Sequence, residues 1–194
     1  MDAKKSILIT GASNGIGAAL AEEYASDGNF LAISGRNAEQ LNTIAERCRN
    51  KGAVVETAVL DVMDITGMSS WISNVNSRVC LDLVIANAGI AGGFDGVGKG
   101  TAATHKIFQT NINGVLNTVI PTLEVMEERG QGQIAIMSSL AAFRGFPSTP
   151  AYSATKAAVK VWGEGLRARY AANGIQVSVI CPGFVQSKMT KHNP

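Results

Sequence analysis

Residues 10–17 read Thr-Gly-Ala-Ser-Asn-Gly-Ile-Gly, directly after the apolar run Ile7-Leu8-Ile9 and before an alanine-rich segment. This order predicts a strand, a tight glycine turn and the first turn of a helix. Glycines lack the Cβ atom that would keep a phosphate away from the backbone, and a helix start presents unpaired N–H groups and the positive end of its dipole. The stretch therefore predicts a diphosphate site, with a tight loop that binds nothing as the alternative.

The composition is that of an ordinary globular chain: 46% of its 194 residues are hydrophobic, 16% are charged, and the net charge is +2. A chain of this length is most simply one domain, which we place at residues 1–194. Lysine and arginine are scattered, which argues against a nucleic-acid partner. The apolar run after Ser6 is too short for a signal peptide or a membrane span, so we expect a cytoplasmic protein with no membrane segment.

Three cysteines, Cys48, Cys80 and Cys181, lie far apart in or beside apolar segments. This placement predicts buried, reduced thiols rather than a disulfide or a metal site. The two histidines, His105 and His192, are isolated in the sequence, so no metal site is expected.

Short apolar runs alternate with longer amphipathic segments along the whole chain, which predicts parallel strands joined by helical crossovers. The predicted strands lie near residues 5–10, 29–34, 53–60, 81–86, 132–138 and 175–181. The predicted helices lie near 15–27, 37–50, 64–77, 101–129 and 150–173. The fourth helix should be broken, and Pro121 should kink it. Residues 89–100 contain six glycines and are predicted to form a mobile loop at the carboxyl edge of the sheet, where ligands bind in α/β folds.

The spacing of the glycines, Thr-Gly-x-x-x-Gly-Ile-Gly, departs from the pattern of most dinucleotide folds and resembles the short-chain dehydrogenase/reductase family. The resemblance implies a single doubly wound α/β domain of the Rossmann type, with a parallel sheet and a nicotinamide dinucleotide across the carboxyl ends of its strands. The turn would hold the cofactor. The residues of the turn assigned to cofactor binding are Gly11, Ser13, Asn14, Gly15, Ile16 and Gly17.

Gly35 and Arg36 follow the second predicted strand, where an acidic residue would bind the ribose 2′-OH of NAD. A guanidinium can instead clamp a 2′-phosphate. The expected cofactor is therefore NADP(H), with NAD(H) as the alternative. If Arg36 is only a solvated residue at the start of a helix, this preference does not follow.

Two more strand ends are similar to the family pattern. Asp61-Val62 resembles the pair that contacts the adenine, although Asp61 suits the N-cap of the next helix equally well. Asn87-Ala88-Gly89 resembles the end of the family's Asn-Asn-Ala-Gly, with Ala86 in place of the first Asn. Small residues there would let the cofactor lie against the strand ends.

The stretch Tyr-Ser-Ala-Thr-Lys places Tyr152 and Lys156 four residues apart on a predicted helix, so their side chains point the same way with ~5–6 Å between Cβ atoms. A fixed ammonium and a cationic nicotinamide ring stabilise a phenolate and lower a pKa that is ordinarily ~10. Tyr152 then becomes a usable acid/base. On its own, such a pair would be an ordinary surface pair.

The resemblance assigns two more catalytic residues. Ser139 follows the fifth predicted strand where the family carries its catalytic serine, and its hydroxyl can hydrogen-bond a substrate oxygen as charge develops. Ser138 is its neighbour, and both could simply cap the strand end. Asn111, in Asn-Ile-Asn-Gly, would lie at the helix break and hold a water for proton relay, with Asn113 as the local competitor.

The last matching segment is Pro182-Gly183-Phe184-Val185-Gln186-Ser187, similar to the family turn that holds the nicotinamide carboxamide. Pro182 and Val185 are assigned to cofactor binding, and Ser187 replaces the more usual Thr. The family usually continues through a substrate-covering loop to a seventh strand. We therefore expect a chain that lacks the C-terminal strand because it is truncated or partly disordered, or because it is naturally short.

The resemblance implies reversible hydride transfer between NADP(H) and a carbonyl or secondary alcohol, with Tyr152 as the proton donor or acceptor. The expected partners are a small-molecule substrate and further copies of the chain, as a homodimer or homotetramer. A catalytically silent cofactor-binding or interaction protein on the same fold is the alternative. The sequence does not identify the substrate.

Overall fold

A computed structural model describes residues 4–92 and 100–186. Its centre is one sheet of six parallel strands in the order β3-β2-β1-β4-β5-β6, which confirms the predicted doubly wound α/β fold. Part of the predicted glycine loop, residues 93–99, and Ser187 lie outside the described residues. The strands are β1 Ser6–Thr10, β2 Phe30–Gly35, β3 Val54–Val59, β4 Leu83–Ala86, β5 Gly132–Met137 and β6 Ile175–Ile180.

Helices connect the strands at the predicted places. They are α1 Gly15–Tyr24, α2 Ala38–Asn50, α3 Ile65–Val79, α4 Thr101–Phe108, α5 Gly114–Glu127 and α6 Pro150–Tyr170. Short 3-10 turns cover Leu140–Ala142 and Ala171–Asn173. The first helix ends at Tyr24, before the predicted residue 27, because the backbone becomes extended at Ala25.

The predicted break in the fourth helix is a π-helical segment, Gln109–Asn113, between α4 and α5. Such segments insert an extra residue into the helical repeat and are frequent at functional sites. Pro121, the predicted kink, lies further along, inside α5. The interruption therefore falls at Asn111 rather than at the proline.

Two apolar layers lie on opposite faces of the sheet, and β1 shows why. Ile7 and Ile9 pack into the layer formed with α1 and α2, whereas Leu8 packs into the layer formed with α3, α5 and α6. Successive side chains of a strand point to opposite faces, so an unbroken apolar run is what a strand covered on both faces requires. The run Ile7-Leu8-Ile9 is fully buried.

The cysteines only partly follow the sequence prediction. All three are free thiols, and Cys48 is buried, but Cys80 is exposed and Cys181 is half-buried. Cys80 is exposed because it is the C-cap of α3, in the left-handed conformation with φ 48°. Within the part of the chain that the structure describes, no three metal-ligating side chains cluster, and no helix has the length and apolar character needed to span a membrane.

The topology determines where a ligand can bind. The strand order reverses at β1, whose neighbours β2 and β4 lead to helices on opposite faces of the sheet. A crevice opens at such a point, outside the carboxyl ends of the strands. The glycine turn after β1 and Asn87 after β4 meet there.

Candidate active site

A cavity of about 310 Å³ runs along the carboxyl edge of the sheet. Most of the residues that the sequence singled out line it. These are Gly11, Ser13, Asn14, Gly15, Ile16, Arg36, Asp61, Val62, Asn87, Ser139, Tyr152, Lys156, Pro182 and Val185. Gly17 and Asn111 are not among the lining residues, and both lie just behind its wall.

The glycine turn is shaped by the strand beside it as well as by space for a ligand. Gly11 has φ +69°, and a Cβ there would lie 2.8 Å from the Cα of Ala88. A Cβ at Gly17 would collide with the backbone oxygen of Gly11 and lie 2.5 Å from Nδ2 of Asn87. Gly15 has φ +57°, which favours glycine. Gly11 is therefore required by packing against the segment after β4, and Gly17 by packing against both Gly11 and Asn87, which the sequence did not predict.

The N-terminus of α1 is open toward the cavity. Asn14 occupies the N-cap position, but its side chain makes no capping hydrogen bond. The first N–H groups of a helix have no partner within the helix, and together with the dipole they favour an anion. This end of α1 is therefore suited to a diphosphate.

Asn87 clamps the glycine turn to β4. Its Nδ2 donates to the backbone oxygens of Thr10 and Gly11 at 3.0 and 3.2 Å. In return, Thr10 Oγ1 accepts hydrogen bonds from the backbone N–H groups of Asn87 and Ala88 at 3.1 and 3.2 Å. Both amide hydrogens of Asn87 are used in this way, so its side chain shapes the cavity wall.

Arg36 and Asp61 lie at the end of the cavity formed by β2 and β3. Nη1 of Arg36 lies 3.5 Å from Oδ2 of Asp61, and both side chains are about half exposed. Asp61 is not the N-cap of α3, which was the alternative from the sequence, because Asp64 holds that position and accepts from the N–H of Gly67 at 2.9 Å. Asp61 instead accepts from the N–H of Met63 at 3.1 Å.

Tyr152, Ser139 and Lys156 come together at the opposite end, beside β5. The segment after β5 carries Ser139, and the first two turns of α6 carry the other two residues. Ser139 lies close enough to the Tyr152 hydroxyl to lower its pKa, and Lys156 Nζ lies 5.7 Å from the centre of the Tyr152 ring. Ser138 points elsewhere, because its Oγ donates to the backbone oxygen of Lys156 at 2.8 Å.

Ser139 also has the capping role that the sequence left open. Its Oγ accepts from the N–H of Ala141 at 3.1 Å, at the start of the turn Leu140–Ala142. A hydroxyl can accept one hydrogen bond while donating another. Capping and contact with Tyr152 are therefore compatible.

Burial changes the acid–base properties of Tyr152 and Lys156. It raises the pKa of Tyr152, and the hydrogen bond from Ser139 opposes this rise. It lowers the pKa of Lys156 from 10.5 to about 8, which nearby Cys181 partly offsets. The sequence led us to expect a lowered pKa for Tyr152, and the chain alone does not have it. That expectation included the positive charge of a bound nicotinamide ring.

The ammonium group of Lys156 is buried and fixed by a backbone hydrogen bond. Its side chain is 4% exposed, and Nζ donates to the backbone oxygen of Met137 at 2.8 Å. An ammonium has three donors, so two remain for the cavity. The ammonium is thereby positioned between the end of β5 and Tyr152.

Asn111 is fully buried in the π-helical segment, whereas Asn113 is exposed. Its Oδ1 accepts from the N–H of Ile90 at 2.8 Å, and Nδ2 donates to the oxygen of Ile90 at 2.9 Å and to Thr155 Oγ1 at 3.1 Å. Both amide hydrogens are thus used by the protein. Thr155, which sequence reasoning missed, is marked only by its place between Tyr152 and Lys156.

The turn after β6 closes the cavity. The backbone oxygen of Pro182 accepts from the N–H of Leu140 at 2.9 Å, which ties this turn to the segment after Ser139. Val185 lines the cavity two residues beyond Gly183. The strand ends therefore place the predicted cofactor-binding and catalytic residues around one continuous space.

Known proteins are similar to this chain in sequence and architecture. The short chain dehydrogenase family model matches residues 5–194. An uncharacterised oxidoreductase of Mycobacterium tuberculosis is 34% identical over 192 residues, which cover 96% of this chain and 76% of the relative. This chain thus spans about three quarters of that protein.

Solved structures of known proteins are also similar to this chain in fold. A gluconate 5-dehydrogenase from Burkholderia cenocepacia, in complex with NADP and tartrate, has a TM-score of 0.86 and 30% identity, over 98% of this chain and 75% of that one. A NAD+-bound xylitol dehydrogenase has a TM-score of 0.86 and 27% identity, over 93% of this chain and 70% of that one. Because the family model matches nearly the whole length of this chain, the chain belongs to the short chain dehydrogenase family.

Proposed function

We propose that this chain transfers hydride reversibly between NADP(H) and a carbonyl or secondary alcohol, with Tyr152 as general acid/base. One observation carries the proposal. Tyr152, Ser139 and the buried Lys156 line one end of a cavity that the open start of α1 also lines. Family membership supports the reaction class.

The residues present fit the cofactor. Gly15 lines the cavity without a side chain, and the uncapped start of α1 offers N–H donors. Arg36 at one end and Lys156 at the other suit the two riboses and their substituents. When bound, the nicotinamide supplies or accepts the hydride.

Tyr152 handles the proton. In the reducing direction its hydroxyl gives a proton to the substrate oxygen as the carbonyl carbon receives hydride, and in the oxidising direction its phenolate takes the proton back. Ser139 holds the substrate oxygen by a hydrogen bond that strengthens as charge develops there. This role is supported by the position of Ser139, which lines the same end of the cavity as Tyr152 and is close enough to lower the pKa of its phenol.

Lys156 binds the nicotinamide ribose and favours the phenolate. Its ammonium is fixed by the Met137 oxygen, which leaves donors for a ribose hydroxyl. Asn111 supports the water that returns a proton to Tyr152. Since both of its side-chain hydrogens are used, Asn111 can bind that water only through an oxygen acceptor.

The preference for NADP(H) rests on Arg36. Its guanidinium lines the cavity at the carboxyl end of β2, where a 2′-phosphate would lie. The acid that would favour NAD is replaced by Gly35, where a Cβ would lie only 3.1 Å from Oγ of Ser13. The two solved structures contain NADP in one case and NAD+ in the other, so the cofactor must be measured on this chain.

Tyr152→Phe tests the chemistry. The variant should bind NADPH with nearly unchanged affinity and lose turnover of a panel of ketones and aldehydes by about 10²- to 10⁴-fold. Tyr170→Phe, the same change at the carboxyl end of α6 and outside the cavity lining, is the matched control and should keep its activity. A Tyr152→Phe variant that retains most of the wild-type rate would refute the assignment.

Fluorescence titration with NADPH and NADH tests the cofactor. We expect tighter binding of NADPH, and a selective loss of that advantage in Arg36→Ala. Binding of NADPH without turnover of any carbonyl in the panel would identify a silent cofactor-binding protein. A chain that binds neither nucleotide would not be an enzyme of the proposed kind by itself.

We further propose that the chain associates with itself through α4, α5 and α6. Two apolar side chains on these helices, Ile120 on α5 and Val161 on α6, are 45% and 66% exposed. Light scattering should give the mass of a dimer or tetramer, and Val161→Arg should reduce it. A monomer at micromolar concentration would contradict the proposal.

A further inference from the structure

The contact between Arg36 and Asp61 joins two residues at the proposed 2′-phosphate end of the cavity. β2 and β3 are neighbouring parallel strands, so the residues that follow them meet at the same edge of the sheet. Nη1 of Arg36 lies 3.5 Å from Oδ2 of Asp61. The guanidinium that would receive a phosphate is thus already next to a carboxylate.

Within this pair, the Arg36 side chain is only weakly held. A charge-assisted hydrogen bond between these groups measures ~2.7–2.9 Å, shorter than the distance here, and the side chains are 53% and 42% exposed. Asp61 is held more firmly, because its Oδ1 accepts from the N–H of Met63 at 3.1 Å. The guanidinium is therefore the partner that can change position when a ligand arrives.

We propose that Asp61 is a specificity-determining residue that weakens the discrimination between NADP(H) and NAD(H), because its carboxylate competes with the 2′-phosphate for Arg36. This inference rests on the proposed function, in which Arg36 reads that phosphate. A phosphate binds a guanidinium best through two parallel N–H donors. Asp61 engages the same guanidinium, and only the phosphorylated cofactor has to displace it.

The same contact also has an opposite effect, because a carboxylate can orient the arginine toward the cavity. Orientation requires a fixed geometry, which a single 3.5 Å contact between half-exposed side chains does not provide. Competition requires only that the carboxylate engage the guanidinium part of the time, so competition outweighs orientation. Removal of the Asp61 charge raises the preference for NADPH.

The test measures the dissociation constants of NADPH and NADH for the 194-residue chain and for Asp61→Asn, Arg36→Ala and the double variant. The amide in Asp61→Asn can still accept from Met63, so the turn after β3 is kept. We expect the ratio of the NADH to the NADPH dissociation constant to rise about two- to fivefold in Asp61→Asn. Glu46→Gln, an equal charge change at an exposed position of α2 outside the cavity, is the control and should leave the ratio unchanged.

The double variant shows whether the effect of Asp61 depends on Arg36. If Asp61 acts through Arg36, Arg36→Ala/Asp61→Asn has the same ratio as Arg36→Ala alone. An unchanged or lower ratio in Asp61→Asn overturns the inference, and so does a rise that persists undiminished without Arg36. If Arg36→Ala alone leaves the ratio at the wild-type value, the proposed cofactor preference fails. If it lowers the ratio while Asp61→Asn does not raise it, only the role of Asp61 fails.

Discussion

Asn111 donates a 3.1 Å hydrogen bond through Nδ2 to Oγ1 of Thr155. The same Oγ1 donates to the backbone oxygen of Tyr152 at 2.8 Å. The π-helical segment and the first turn of α6 are thus joined through one buried hydroxyl. Thr155 is therefore a positioning residue for both Asn111 and Tyr152.

Thr155→Val should destabilise the protein by about 1–3 kcal/mol, because a buried amide hydrogen of Asn111 loses its acceptor. Urea unfolding measures the change. Thr155→Ser keeps the hydroxyl and should recover most of the loss. Equal stability of the valine and serine variants would show that the hydrogen bond is not needed.

Lys156 makes stability depend on pH. Burial lowers its pKa from 10.5 in the unfolded chain to about 8 in the folded chain. Between these values the unfolded state binds more protons, so folded-state stability rises with pH. We expect the stability difference between wild type and Lys156→Met to shift in favour of wild type by about 2 kcal/mol from about pH 7.5 to 9.5.

Urea unfolding at several pH values measures this difference. The loss of the Met137 hydrogen bond adds an offset in Lys156→Met, but the dependence on pH is what reports the buried ammonium. Lys106→Met, at an exposed position of α4, is the control and should follow the wild-type profile. Parallel profiles for wild type and Lys156→Met would contradict the lowered pKa.

Asn87→Ala should weaken binding of NADPH and NADH equally, because both side-chain hydrogen bonds of Asn87 go to the glycine turn that the two cofactors share. Titration with each nucleotide tests this. Asn29→Ala is the control, since Asn29 also bonds backbone groups, those of Lys5 and Tyr24, but at the amino end of β2. A change in the ratio of the two affinities would mean that Asn87 touches the cofactor selectively.

The fold was predictable because each strand carries its own signal. An apolar run such as Ile7-Leu8-Ile9, followed by Thr10-Gly11, favours a strand buried on both faces. That the residues after the strands lie at one edge of the sheet was also predictable, because parallel strands end at one edge. Local periodicity and strand direction are enough for both.

Contacts made by the backbone were not predictable. The oxygen of Met137 that holds Lys156, and the close approach of Ala88 to Gly11, depend on how segments far apart in sequence pack. Cys80 was wrongly expected to be buried, because the end of α3 was placed at residue 77 and its C-cap was not recognised. The contact between Arg36 and Asp61 likewise requires three-dimensional information.

Glycines 17 and 165 form a matched pair for a last prediction. A Cβ at Gly17 would collide with the backbone oxygen of Gly11 and lie 2.5 Å from Nδ2 of Asn87, so Gly17→Ala must displace the glycine turn or the side chain that holds it. Gly165 lies in α6 with open space around its Cβ position. Gly17→Ala should lose about 1–3 kcal/mol and cofactor binding, whereas Gly165→Ala should gain about 0.5–1 kcal/mol from its higher helix propensity.

Thermal unfolding and NADPH titration of the two variants distinguish the causes. Both replace a glycine within a helix by alanine, so propensity acts in the same direction at each site. Any loss in Gly17→Ala therefore arises from the clash of the new Cβ with the backbone of Gly11 and with Asn87. If Gly17→Ala were as stable as wild type and bound NADPH normally, these close contacts could not be the reason for glycine at this position.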